Sequence, residues 1–172
     1  MHSRSSLIAG ALGALLVCPS SAFPQADFAW RGRLAPGQSV EIKGVNGEVR
    51  AVAAATNEVD VTATRSSRHS DPASVRIEVV PHAGGVTICA VYPDVFGQGS
   101  NRCEPGSEGR SHTRNNDVRV HFMVRVPAGV GFVGRTVNGD VSAESLGGDA
   151  EGVTVNGSVR LSATGLVRAR SL

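Results

Sequence analysis

The chain has 172 residues with a formal net charge of +2; 41% of its residues are hydrophobic and 4% are aromatic. Residues 1–22 carry one basic residue and no acidic one, so the remaining 172 − 22 = 150 residues carry 17 − 1 = 16 basic residues against 15 acidic ones. This balance, with arginines that alternate with apolar residues, excludes a strong electrostatic attraction to nucleic acid or to an anionic membrane. The remaining length suits one domain, which we place at residues 23–172.

The N-terminus has the anatomy of a secretory signal peptide. A short segment with Arg4 and no acid precedes an apolar run over residues 7–17. This run is too short to span a bilayer, which takes about 20 residues. We predict a signal peptide over residues 1–22, no transmembrane segment in the mature chain, and export to the periplasm or the cell exterior. Lipid anchoring at Cys18 is the alternative, and it is disfavoured because Val17 stands where a lipoprotein signal has a small residue.

Alternation of apolar and polar residues predicts β-strands along most of the mature chain. The clearest strand is Val118–Val126, in which every second residue is apolar. With 21 glycines and no apolar pattern of helical period, no helix is expected after the signal peptide. Turn signals rich in glycine and proline separate the earlier predicted strands, which cover residues 28–34, 39–43, 49–52, 59–63, 75–80 and 86–91.

Residues 92–117 lose this alternation and are rich in glycine, proline and asparagine, so we predict a long surface loop. The two cysteines that remain after cleavage are Cys89, in the strand before this loop, and Cys103, within the loop. An even number of cysteines in an exported chain indicates a disulfide. Closing a loop of about 15 residues would stabilise the fold by about 3 kcal/mol on the chain-entropy model. Two free thiols or half of a metal site are the alternatives.

The C-terminal part of the chain contains a repeat. Thr-Val-Asn-Gly occurs at residues 136–139 and 154–157, and Val-Asn-Gly also occurs at residues 45–47. A turn at fixed spacing predicts stacked coils, each burying its apolar face on the next. A three-sided hexapeptide helix is the alternative, but Asp149 breaks its register. We expect each Asn in left-handed (αL) backbone, a following Gly that permits the reversal, and Asn amides that stack between coils, at Asn46, Gly47, Asn138, Gly139, Asn156 and Gly157.

No histidine or acid has the spacing of a catalytic or metal site. The sequence contains no C-x-x-C, H-E-x-x-H or G-x-S-x-G motif. We expect no metal or catalytic role for the histidines beyond the signal peptide, which are His69, His82, His112 and His121. Glycoside cleavage would need paired carboxylates. The acids near the repeats are expected to face solvent beside turns, namely Asp140, Glu144, Asp149 and Glu151. We therefore predict no catalytic residue and no cofactor.

Several segments together resemble the bacterial putative-adhesin domain, a family of exported β-rich proteins without an assigned biochemical activity. These segments are residues 45–47, residues 86–93, Val126–Gly129 and the later Thr-Val-Asn-Gly repeats. The resemblance extends from about residue 28 to the end of the chain. It implies a right-handed, solenoid-like all-β domain at the cell envelope and no catalytic residues. Because such domains continue through further Asn-Gly coils, we expect that this chain is truncated at its C-terminus.

The expected fold is thus all-β: a right-handed, solenoid-like stack of short strands with Asn-Gly turns, with a sandwich-like arrangement open for the N-terminal strands. The expected function is non-enzymatic, as an adhesin-like binding or structural module of the bacterial cell envelope whose partner is an unidentified protein or glycan. Two alternatives remain. One is a polysaccharide-active enzyme on a similar scaffold, which would need clustered acids and aromatic residues. The other is a regulatory partner of an envelope signalling system.

Overall fold

Short valine-rich segments form the strands, because β-branched side chains suit a pleated, half-buried surface. The computed structural model describes residues 27–106 and 111–172, and these contain twelve strands, one turn of 3₁₀-helix at Pro72–Ser74 and no α-helix. The all-β prediction is confirmed. The strands are β1 (Phe28–Gly32), β2 (Ser39–Lys43), β3 (Val49–Ala53), β4 (Val59–Ser66), β5 (Arg76–His82), β6 (Gly85–Val91), β7 (Arg119–Val126), β8 (Gly131–Arg135), β9 (Val141–Leu146), β10 (Ala150–Thr154), β11 (Val159–Ala163) and β12 (Val167–Ser171).

The strands form two mixed sheets of six strands each. Sheet A has the order β1-β4-β7-β3-β9-β11, and sheet B has the order β12-β10-β8-β2-β6-β5. The chain passes from sheet B to sheet A in each of the pairs β2–β3, β6–β7, β8–β9 and β10–β11. Within each sheet these strands are parallel to one another. Each such pair therefore forms one layer, and the connection between its two strands recurs at the same corner of the molecule.

Antiparallel strands complete both sheets at one end. In sheet A, β4 pairs with β7 and β1 pairs with β4. In sheet B, β5 and β6 form a hairpin, and Pro81 of the outermost strand β5 lies opposite Val86. At the other end, β11 and β12 are the outermost strands of sheets A and B.

The apolar core lies between the two sheets. Its largest fully buried side chains from sheet B include Ile42, Ile88 and Phe132, and the valines at the inward positions of β3, β4 and β7 are also fully buried. Burying a side chain of this size contributes about 1.5–3 kcal/mol relative to exposure. Strand β6 is buried along its entire length, so its outer face is covered as well.

The predicted strand boundaries agree with the structure to within a few residues. The strand predicted over Val118–Val126 is β7, which begins at Arg119, and the first strand ends at Gly32 instead of Leu34. The signal peptide and Cys18 lie outside the described residues, so their assignment stays a prediction. Among residues 27–106 and 111–172, no helix has the length and apolar character needed to cross a bilayer.

Candidate functional site

The three repeated asparagines lie at one corner of the molecule and form a ladder. Asn138 Nδ2 donates to Asn46 Oδ1 at 2.8 Å, and Asn156 Nδ2 donates to Asn138 Oδ1 at 2.8 Å. Their backbones form one-residue parallel bridges in the same order. At the end of the ladder, Asn46 Nδ2 lies 3.5 Å from the carbonyl oxygen of Val118. Each amide therefore hydrogen-bonds to the amide of the adjacent layer, and Asn138 and Asn156 form these bonds while exposed to solvent.

The backbone at these asparagines is not left-handed, so the predicted αL conformation is wrong. In the described part of the chain, the non-glycine residues with positive φ are Asn115 and Ser145. The physical reason is the bridge to the next layer, because a residue that pairs with a parallel neighbour keeps an extended backbone. Among the three turn glycines, Gly47 alone has a positive φ, of 122°.

Close packing between layers explains why glycine follows each asparagine. A Cβ on Gly139 would collide with the carbonyl oxygen of Gly47, and one on Gly157 would collide with the carbonyl oxygen of Gly139. The same carbonyls accept hydroxyl hydrogen bonds from the next layer: Thr136 Oγ1 donates to Gly47 O at 3.1 Å, and Thr154 Oγ1 donates to Gly139 O at 2.8 Å. The Thr-Val-Asn-Gly sequence thus supplies a hydroxyl donor, an amide link and room for the adjacent backbone.

The predicted disulfide is present. Cys89 and Cys103 are bonded, and both are buried. The bond fixes the chain around Cys103 against the outer face of sheet B. Residues 92–106 and 111–117 are here named the covering segment. Lys43 Nζ also donates to the carbonyl oxygen of Glu104 at 2.5 Å. The covering segment joins β6 to β7 and so replaces, in that layer, the short Asn-Gly turn of the other layers.

Hydrogen bonds of Asn101 and Tyr92 hold the beginning of the covering segment. Asn101 Nδ2 donates to the carbonyl oxygens of Tyr92, at 3.0 Å, and His112, at 2.8 Å. The Tyr92 hydroxyl donates to the carbonyl oxygen of Val118 at 2.7 Å. Burial raises the pKa of Tyr92, and hydrogen bonding with Asn46 opposes this rise. The covering segment is therefore joined to the asparagine ladder.

A buried carboxylate lies beneath the covering segment. Glu41 is 5% exposed. Its Oε2 accepts hydrogen bonds from Thr87 Oγ1 and from the backbone N–H of Gly106, both at 2.9 Å. Its Oε1 accepts from Arg135 Nε at 3.1 Å, and Arg135 Nη2 donates to Glu151 Oε1 at 2.8 Å. A buried charge with these partners is satisfied within the fold.

The Thr87 hydroxyl also lies 3.2 Å from His82 Nε2, an arrangement that invites comparison with a nucleophile and its base. The other ring nitrogen, His82 Nδ1, accepts the backbone N–H of Gly84 at 3.1 Å. The hydrogen-bond network therefore assigns the ring proton to Nε2, which donates to Thr87, while Thr87 donates to Glu41. The imidazole cannot accept the hydroxyl proton, and Thr87 is fully buried. This group of residues is a structural network.

The acids near the repeats each contact a hydrogen-bond donor, and two of them, Asp149 and Glu151, line one hollow of about 390 Å³. Asp140 Oδ1 accepts the backbone N–H of Ser158, and Asp149 Oδ1 accepts that of Leu166, each at 2.8 Å. These two acids lie at turns, as expected. The other two lie in strands and form ion pairs, Glu144 with Arg50 and Glu151 with Arg135, each at 2.8 Å. Glu144 faces solvent as expected, whereas Glu151 is half-buried.

The histidines are dispersed over the molecule. His69 lies beside Asp117, with a distance of 3.3 Å from its Nδ1 to Asp117 Oδ2. His121 lies on the outer face of β7, opposite to the apolar face of this alternating strand. Within residues 27–106 and 111–172, no three histidine, cysteine or acidic side chains are grouped closely enough to hold a metal ion.

Asp117 organises the loop after β4. Its carboxylate accepts the backbone N–H groups of Arg68, His69 and Ser70, at 2.9, 3.1 and 2.8 Å. The backbone N–H of Ser70, followed by the Ser70 side chain and the N–H groups of Arg68 and His69, holds the pKa of Asp117 well below its usual range. Hydrogen bonds of this kind favour the charged form of a carboxyl group.

A hollow of about 300 Å³ opens on the outer face of sheet A. It lies over the middle strands β4, β7 and β3, where Thr62 is opposite Met123 and Met123 is opposite Arg50. We call it the sheet A hollow, and its lining includes Glu48, Arg50, Thr62, Thr64, His121 and Met123. The sequence indicated that His121 and Met123 face outward. It gave no sign of the hollow, because the register that brings these three strands together is a long-range property.

Comparison with protein-family models and with curated proteins gives no match. Among solved structures, the chain is similar to a putative cell adhesion protein from Clostridium sporogenes ATCC 15579. The two share 8% sequence identity with a TM-score of 0.32, and the similarity covers 84% of this chain and 99% of that chain.

Proposed function

We propose that this protein is a non-enzymatic, extracytoplasmic module that binds or supports components of the bacterial cell envelope in the manner of an adhesin. One observation carries the proposal: the apolar side chains fill the space between the two sheets, while the outer face of sheet A stays open and polar. Such a face offers a partner many hydrogen-bonding groups on a rigid support. The ion pairs of Glu144 and Glu151 and the burial of Thr87 favour this role over a polysaccharide-active enzyme.

We also propose that the parallel layers form a short, right-handed, solenoid-like stack. The support is the recurrence of one corner in successive layers, where Asn46, Asn138 and Asn156 are linked amide to amide. Each parallel strand in the middle of a sheet pairs with the corresponding strands of the layers on both sides. In a stack of this type each layer is stabilised mainly by its neighbours.

An extracytoplasmic location is part of the proposal. A buried disulfide is typical of an oxidising compartment, and the apolar run at residues 7–17 is typical of an export signal. Periplasmic and cell-surface locations are both compatible with these features.

The test uses the full chain with a C-terminal tag, produced in a bacterial host and fractionated. The exported protein is then sedimented with isolated cell walls and with membrane vesicles over a range of concentrations. We expect recovery outside the cytoplasm and saturable sedimentation with an envelope fraction. The same protein, unfolded by reduction and alkylation, is the control and should not sediment specifically. Retention in the cytoplasm, or release of sugar fragments from the walls at a steady rate, would contradict the proposal.

A further inference from the structure

The sheet A hollow results from the lengths of side chains at neighbouring positions. Thr62 and Thr64 project from β4 beside Met123 and His121 of β7. Arg50 projects from β3 on the other side of Met123. Short threonines next to longer arginine and histidine side chains leave a depression with Met123 among its lining residues. At about 300 Å³, it is at the small end of the range of ligand sites.

The polar groups around this hollow have unused hydrogen-bonding capacity. Among the described residues, the side chains of Glu48, Thr62, Thr64 and His121 make no hydrogen bond or ion pair with one another or with other side chains. Arg50 Nη2 donates to Glu144 Oε1 at 2.8 Å. Its Nε is buried and has no partner among the residues that the structure describes. An unpaired buried donor is costly, and such groups call for an explanation.

The outer face of sheet B gives the opposite picture within the same molecule. There, Glu41, Thr87, Arg135 and Glu151 hydrogen-bond to one another, and Glu41 also accepts from the covering segment through Gly106. These four polar side chains on sheet B thus serve the fold. Those around the sheet A hollow are available to a ligand.

The chemistry of the lining selects the class of ligand. Glu48 and Arg50 contribute opposite charges, so the hollow has no strong preference for an anion or a cation. The threonine hydroxyls both donate and accept, the carboxylate of Glu48 accepts, and the guanidinium of Arg50 donates. Met123 adds an apolar surface. A sugar ring matches this combination, because its hydroxyls both donate and accept while its C–H face is apolar.

We propose that the sheet A hollow binds a neutral saccharide unit of an envelope glycan. This deepens the proposed envelope-binding function and rests on it. Thr62, Thr64 and Glu48 hydrogen-bond to sugar hydroxyls, and the ring lies against Met123. The site recognises one short stretch of a longer chain.

The probes are two neutral tetrasaccharides, one of β-1,4-linked N-acetylglucosamine and one of α-1,4-linked glucose. Each is titrated into ¹⁵N-labelled protein while backbone amide shifts are followed by NMR. We expect saturable shifts in at least one titration, concentrated at residues 48–50, 62–64 and 121–123. The variant Thr62→Val/Thr64→Val removes two hydroxyls without a change in side-chain size, and it should bind about tenfold more weakly. The matched control Thr164→Val alters an exposed threonine away from the hollow and should bind like the parent.

The outcomes separate this site from the broader function. The amide spectra of both variants show directly whether the fold is kept, and valine is a good strand residue. Even weak binding is detectable at a sugar concentration of about 10 mM. If neither sugar changes the amide shifts of the hollow residues up to this concentration, the proposed saccharide site is contradicted. Chemical shift changes at another face, or equal sugar binding by both variants, also overturn the saccharide site. Envelope sedimentation by the parent would still support the proposed function in either case. If the parent protein neither sediments with an envelope fraction nor binds sugar, both the proposed function and the saccharide site are contradicted.

Discussion

Asp117 shows how one carboxylate can stabilise a loop without being buried. It accepts three consecutive backbone N–H groups, from Arg68 to Ser70, and these donors hold its pKa below the usual range. Because the folded-state pKa is depressed, the carboxylate stabilises the fold fully above the ordinary aspartate pKa of about 3.9. This stabilisation is lost as the pH falls towards the folded-state pKa.

We expect Asp117→Asn to lower the melting temperature at pH 7, because a neutral amide accepts these N–H groups less strongly than a carboxylate does. The difference from the parent should shrink as the pH falls below about 4, where the parent begins to lose the same contribution. Thermal unfolding followed by circular dichroism at pH 7, 4 and 2.5 measures this difference. A gap in melting temperature that is independent of pH would contradict the role given to the charge.

At the scale of the strand–turn–strand element, the Asn-Gly corner matters because backbones of adjacent layers meet there. The asparagine amides link the layers, and the glycines allow the carbonyl oxygen of one layer to approach the Cα of the next. Gly44 holds the position in the first copy that Thr136 holds in the second. A Cβ on Gly44 would lie 3.3 Å from Thr136 Oγ1, a tight contact with a side-chain atom.

Gly139→Ala should destabilise the protein by about 3 kcal/mol or more, because the new Cβ meets backbone that cannot move without separating the layers. Gly44→Ala is the matched control in an equivalent layer and should cost about 1 kcal/mol or less, since the Thr136 side chain can adjust. Urea unfolding monitored by circular dichroism gives both values. Equal stabilities for the two variants would show that the close approach at Gly139 is not limiting.

The sequence predicted the features that depend on local chemistry. Asn-Gly pairs, the alternation in β7 and the pairing of Cys89 with Cys103 were all recognisable from residue types and spacing. The backbone conformation of the asparagines was predicted wrongly, because a single turn seen alone suggests αL whereas the bridge to the next layer imposes extended backbone. The burial of Glu41 was not predicted, because it depends on a segment far away in the chain.

For the molecule as a whole, the covering segment lies over part of the outer face of sheet B. The disulfide, the contact of Lys43 with Glu104 and the contact of Gly106 with Glu41 hold it in place. It accounts for the burial of β6 on both faces and for the small apolar cluster of Val91 and the two cysteines. Without the disulfide, the position of the covering segment depends on these polar contacts.

Cys89→Ala/Cys103→Ala should lower the free energy of unfolding by about 3 kcal/mol, the value typical of a closed loop of roughly 15 residues. Hydrogen exchange should rise first in the covering segment and in β6, while the Asn-Gly layers stay protected. Denaturant unfolding and hydrogen-exchange mass spectrometry measure the two effects. A uniform rise in exchange over both sheets, or an unchanged free energy of unfolding, would argue against a disulfide that stabilises mainly the covering segment.

The position of Pro81 on the outermost strand of sheet B bears on how these molecules behave when crowded. In a hairpin with a two-residue connection, the second pair from the turn directs its N–H groups away from the partner strand. Pro81 stands at such a position opposite Val86. Because proline has no backbone N–H, the β5 edge of sheet B lacks an outward-pointing hydrogen-bond donor there. A strand of another molecule therefore cannot form an unbroken set of backbone hydrogen bonds along this edge. This discourages edge-to-edge aggregation on that side of the molecule.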